Sequence, residues 1–244
     1  MSVPGIAVAA SDLLGGLLDA QPLPHRPVVG VTAAAAAVAV GYRPVWKLVR
    51  NVVTIAHEGG HAAVAVATGR RLQGVRLHSD TSGLTISAGR PTGIGVVLTL
   101  LAGYLSPSVL GLAAAVALGQ GRVTPVLWVS VALLVALLLM IRNLFGVVSV
   151  VVTAGLLVGI AGWAPVQWQG LAAYLLAWFL LVSAPRPLVE LQSARHRRLV
   201  TASDVDQLAA LTRVPGLVWL VALLLLTVAA LAGGGWLLVA PTPA

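Results

Sequence analysis

Apolar runs divide the chain into a regular series. They cover residues 28–41, 46–68, 93–118, 124–141, 145–163, 171–184 and 217–239. Most approach the length of about 20 residues that an α-helix needs to cross a hydrocarbon core. The run at 28–41 is short for a span and is expected to be tilted or interfacial. In the run at 145–163, Gly155 and Gly159 have the small-xxx-small spacing that suits close helix packing. Two polar stretches interrupt the series. Residues 70–90 alternate with period two at 74–78 and 84–87 around turn residues at 79–83, which predicts a β-hairpin at the membrane surface. Such a hairpin offers an edge to which an extended peptide can add. Residues 186–213 form a second polar stretch, in which Ser203 is expected to cap a short helix running to Thr212. Residues 1–27 read as a leader without the pattern of a secretory signal, and Leu14–Leu18 suits a membrane surface. The predicted fold is therefore an all-α polytopic membrane protein. It is a bundle of six or seven transmembrane helices with a small β-hairpin, in one domain over residues 28–244.

Composition agrees with this pattern and narrows the function. Of 244 residues, 59% are hydrophobic and 9% charged, against about 25% charged in soluble domains. The net charge of +8 comes from cations in short loops between apolar runs. That distribution carries topology information and lacks the basic-aromatic interleaving of a nucleic-acid surface. No cysteine is present, which excludes disulfides and thiolate metal sites. The basic stretch at 186–213 is expected at the cytoplasmic face and the uncharged turn at 164–169 outside. Alternation then puts Arg142, the hairpin and the end of the second run inside. Arg43, Lys47 and Arg50 fall outside, against the rule, unless the first run does not span.

The second run contains His57-Glu58-Gly59-Gly60-His61. On a helix, residues four apart share a face, so His57 and His61 can grip one metal ion. Glu58 is rotated by about 100° from His57 and can reach a water at that metal without being a ligand. With so few His and Glu, a chance occurrence has a probability of roughly one in a thousand. Ionisable residues at bilayer depth are expensive and functional by default. The doubled glycine leaves bare backbone that a hairpin edge or an unwound substrate could approach.

A catalytic zinc has three protein ligands and an open position. The third must be His or a carboxylate, and no other apolar run holds a carboxylate. The candidates are Asp12, Asp19, Asp80, Glu190, Asp204, Asp206, His25, His78 and His196. Asp204, just after the expected cap and before the last run, is the choice. Glu190 and Asp80 come next, and Asp206 would face elsewhere on a helix. Asp in a first helical turn is also favoured by the helix dipole alone. Asn143, at the end of a run, is an amide able to contact a substrate, or to bond a helix end.

With these residues in hand, the chain resembles the site-2 protease family of intramembrane zinc metallopeptidases, in its compact bacterial B-like branch. The resemblance rests on HEGGH at 57–61, TGRRLQGVRLHSDTSGLT at 68–85, AGYLSPSVLG at 102–111, RNLFG at 142–146 and SDVDQLA at 203–209. It implies a zinc cofactor, His57 and His61 as ligands, Glu58 as the base and an Asp as third ligand. It also implies cleavage of membrane-embedded protein or peptide substrates in a bacterial plasma membrane. Better-known branches carry that Asp in a Leu-Asp-Gly motif on a later span, which this chain lacks. The family-like SDVDQLA favours Asp204. A non-catalytic membrane scaffold or chaperone, and a metal or solute transporter, are the competing readings. A transporter would show broken-helix pairs or a repeated half, and the sequence shows neither.

Overall fold

The computed structural model describes residues 20–22, 24–197 and 203–240. Residues 1–19 of the expected leader, with Asp12, Asp19 and the Leu14–Leu18 run, lie outside the described residues. The elements are α1 (Arg26–Gly41), α2 (Arg43–Ala67), β1 (Arg71–Leu77), β2 (Gly83–Ala88), α3 (Ile94–Gly119), α4 (Val123–Leu138), α5 (Leu144–Trp163), α6 (Val166–Ser183), α7 (Arg186–His196), α8 (Asp204–Thr212) and α9 (Gly216–Val239). The chain is a multi-pass membrane protein. Among the described residues, α3, α5, the continuous stretch α6–α7 and α9 are long and apolar enough to cross a bilayer. The outward faces of α5 and α9 carry Val152, Leu156, Trp163, Leu225 and Trp236, which suits contact with lipid.

The first two apolar runs are two arms of one bent element. Helices α1 and α2 meet at 100°, with Tyr42 extended between them and Pro44 in the first turn of α2. Counting this pair once gives five spans among the described residues, near the six or seven expected, and the apolar α4 is shorter than a span. Pro185-Arg186-Pro187 ends α6 at Ser183, as the sequence suggests, and Pro187 sits in the first turn of α7, where a missing N–H would have no partner anyway. Gly155 and Gly159 also depart from expectation. Neither has a neighbour within 4 Å of its would-be Cβ. Close glycine packing occurs instead at Gly111 and Gly234, both against Leu181 of α6.

Three apolar clusters hold the elements. One joins α1, the start of α2, α3, α4 and α6 around Trp46, Leu118, Leu127, Tyr174 and Leu181. A second packs α2 against β1, α4 and α5 through Ile55, Val75, Leu77, Leu134 and Val150. A third joins α7, α8 and α9 through Leu188, Leu191, Val205, Leu220 and Leu223. Arg186 stacks on the Trp46 ring at 4.5 Å. Glu190 accepts from Trp46 Nε1 at 2.9 Å and from Arg186 Nε at 3.0 Å, which ties α7 to the start of α2.

The hairpin forms as expected, antiparallel, with a bulge between Leu72 and Gly74. Gly74 takes φ 155°, and its would-be Cβ would collide with Arg142. The far edge of β1 is covered. Val75 N–H donates to the Met140 carbonyl at 2.8 Å and Arg142 N–H donates to the Val75 carbonyl at 2.9 Å. The Asn143 carboxamide completes this edge: it accepts from Leu77 N–H at 3.1 Å and donates to the Leu77 carbonyl at 2.6 Å. The outer edge of β2 is thus the free edge of the sheet among the described residues.

Replacing Asn143 by Ala leaves both backbone groups of Leu77 without their partner, a loss of about 1–3 kcal/mol. The variant is expected to unfold at lower temperature in detergent and to exchange the Leu77 amide faster. An unchanged exchange rate at Leu77 would show that the carboxamide does not clamp the hairpin.

Candidate metal centre

The four-residue spacing on α2 sets His57 and His61 on one face, with Nε2 atoms 3.1 Å apart. Asp204 Oδ2, from the first turn of α8, lies 3.3 Å from each. This is the group of His and carboxylate ligand atoms that the described residues bring together for a metal ion. A tetrahedral centre with bonds of about 2.0–2.1 Å places its ligand atoms about 3.3 Å apart. The triangle therefore fits a small tetrahedral cation. The donor set, two imidazoles and a carboxylate, is one that zinc accepts.

The imidazoles are oriented from behind. His61 Nδ1 lies 2.7 Å from the Thr99 carbonyl. A carbonyl can only accept, so the proton sits on Nδ1 and the Nε2 lone pair faces the centre of the triangle. Room for the pair is made by Gly103 of α3. A Cβ there would lie 2.7 Å from His57 Nε2 and would also run into His61 Nε2. Gly60 closes the same contact from the α2 side, where a Cβ would stand 2.6 Å from the Ala102 carbonyl and from Ser106. The doubled glycine does not serve as bare backbone for a hairpin edge or a substrate. Gly60 packs on α3, and the nearest contact to a Cβ at Gly59 would be Leu137 at 3.9 Å.

Glu58 is buried at 4% exposure. Its Oε2 accepts from Thr85 Oγ1 at 2.6 Å, so β2 lies directly on the carboxylate. Gly83 makes this possible, since a Cβ there would overlap the Glu58 side chain. Thr54 Oγ1 donates to the Thr81 carbonyl at 2.8 Å and pins the hairpin turn to α2.

Helix α8 owes its position to a local motif that the sequence announces. Ser203 and Asp206 form a reciprocal capping box. Asp206 Oδ1 also pairs with Arg195 Nη2 at 3.0 Å. Asp206 is thereby occupied, and Asp204 faces the imidazoles. Burial alone would push the Asp204 carboxyl up, but hydrogen bonding and charge from His57 and His61 hold it well below the usual carboxylate range. The other candidates lie elsewhere. Glu190 serves Trp46, Arg186 and Arg50. Asp80 accepts from Ser82 N–H and Oγ in the hairpin turn, bonds that lower its carboxyl. His78 lies beside Ser82, and His196 beside Gln192.

A cavity of about 510 Å³ opens onto the three ligand atoms and Glu58. Its walls include Leu84 and Ile86 of β2, Val96, Leu100 and Tyr104 of α3, and Gln207 of α8. Asn143 is not among its lining residues, and its carboxamide is taken up by Leu77. Spacing along the chain does not single out Thr85, Thr99, Gly103 or Tyr104; Thr85, Gly103 and Tyr104 lie in the stretches 68–85 and 102–111 that carry the resemblance.

A family model described as Peptidase M50B-like matches residues 30–234. No curated protein and no solved structure matches the chain.

Gly103→Ala places a methyl group against both imidazoles. Purified protein is expected to keep its fold but to lose metal affinity by about 10-fold or more. Gly155→Ala, which meets nothing within 4 Å, is expected to match the wild type. Equal metal content in the two variants would refute the packing argument.

Proposed function

Because the chain belongs to the Peptidase M50B-like family, the site-2 protease family that its motifs resemble, we propose that it is an intramembrane zinc endopeptidase. Its substrates are peptide segments embedded in the bilayer. The observation that carries this reading is the triangle of His57, His61 and Asp204 beside a buried glutamate. These three residues would hold the zinc through Nε2, Nε2 and Oδ2. When bound, zinc would lower the pKa of water toward about 7 and polarise the scissile carbonyl.

The remaining work falls to the chain. Glu58 Oε1 takes a proton from the attacking water as the new C–O bond forms, while Thr85 holds Oε2 in place. The same carboxyl then gives that proton to the amine nitrogen as the C–N bond breaks, so that protons balance over the cycle. A substrate segment reaches this point by unwinding and lying along the free edge of β2. That edge lines the cavity through Gly83–Ser87, and the exposed side chains of Leu84 and Ile86 suit an apolar segment. The arginines of the hairpin, with Arg142 and Arg195, favour a bacterial plasma membrane with the site toward its cytoplasmic face.

Glu58→Gln tests the chemistry. It is expected to retain zinc and to lose peptide cleavage by about 10²–10⁴-fold. Retained cleavage would leave a non-catalytic scaffold or a transporter as the better reading. Asp204→Ala is expected to lose zinc on metal analysis, and Glu190→Ala to keep it. The reverse pattern would remove Asp204 from the ligand set.

A further inference from the structure

A hydrolase of this kind must stabilise negative charge on the carbonyl oxygen of its substrate, and hydrogen-bond donors held near that oxygen contribute much of this. Most polar side chains around the cavity already have partners. Thr85 donates to Glu58. Thr99 Oγ1 donates to the Gly95 carbonyl. Ser203 Oγ donates to Asp206. Arg70, at the far end of the cavity, donates to Ser87 Oγ and to the Arg90 carbonyl. Ser87 Oγ only accepts, from Arg70, and the Tyr104 phenol and the Gln207 carboxamide have no hydrogen-bond partner among the described residues.

These two differ in their relation to the centre. Gln207 lies on the solvent-exposed side of α8. Tyr104 is half-buried, and its ring packs edge-on against the His57 imidazole with centroids 4.8 Å apart. Tyr104 also packs against the apolar cluster of α7, α8 and α9. A half-buried tyrosine has an apolar ring and a polar tip, and the tip ordinarily finds a partner. Tyr104 lines the cavity that opens onto the metal ligands. Tyr104 comes from α3, whereas Thr85, which holds Glu58, comes from β2, so base and donor belong to different walls of the cavity.

We propose that Tyr104 is a catalytic residue, whose hydroxyl donates a hydrogen bond to the carbonyl oxygen as it becomes tetrahedral and negatively charged. No proton is transferred: the phenol keeps its hydrogen, and the oxygen returns to a carbonyl when the C–N bond breaks. This inference rests on the hydrolase reading above.

The test uses full-length, zinc-loaded protein and a peptide phosphinate, which presents a charged tetrahedral centre and is not cleaved. Tyr104→Phe keeps the ring on His57 and removes the hydroxyl alone. It is expected to bind the phosphinate about 10²–10³-fold more weakly, with unchanged zinc content. On a quenched fluorescent peptide that the wild type cleaves, kcat is expected to fall by a similar factor with little change in KM. Phosphinate affinity and kcat within threefold of wild type would overturn the proposal, leaving a packing role for the ring. Loss in Gln207→Ala but not in Tyr104→Phe would overturn it in favour of Gln207. Neither result touches the hydrolase reading, which stands or falls with Glu58→Gln.

Discussion

The contact between α2 and α3 is the constraint on which the site depends. Two imidazoles on one helix face need a neighbour that shields them from lipid without filling the space where a metal would sit. Gly60 and Gly103 provide this by letting the two backbones approach until Ala102 and Ser106 lie against α2. Ser106 Oγ reinforces the contact by donating to the Ala56 carbonyl at 2.6 Å. Glycine in mid-helix costs about 1 kcal/mol relative to alanine, and close packing of small residues is what holds membrane helices together. The same contact presents the Thr99 carbonyl to His61 and the Tyr104 ring to His57.

The carboxylates of this chain are few, and those in the described residues are all engaged. Asp80 closes a turn, Glu190 ties α7 to α2, Asp206 caps α8 and binds Arg195, Glu58 lies under Thr85, and Asp204 faces the histidines. In a medium that solvates charge poorly, an unpartnered carboxylate is strongly destabilising. With Asp80, Glu190 and Asp206 held by other partners, Asp204 is the acid that faces the imidazoles.

What the sequence made legible was local. The His-Glu-x-x-His spacing, the hairpin alternation and the Ser203 cap each follow from a few adjacent residues. Asp204 was reachable because the cap fixed the start of its helix. The features that escaped depend on which surfaces meet. Gly155 and Gly159 have the spacing of a packing motif, yet only the fold decides that α5 turns that face away from its neighbours. Gly60 was assigned to the wrong partner for the same reason. Thr85 and Thr99 reach the site across 27 and 38 residues of chain, and no periodicity reports such pairings. The 100° bend at Tyr42 also escaped, and it joins into one bent pair the two runs that read as successive spans.

The third corner of the triangle is supplied late in the chain. His57 and His61 are made early, but Asp204 belongs to α8, which is held in place by Arg195 from the preceding helix and by packing on α9. A ribosome that has delivered α1 to α7 has produced a pair of imidazoles and a buried glutamate without their carboxylate partner. A chain that stops before α8 therefore holds the two imidazoles and Glu58 without Asp204.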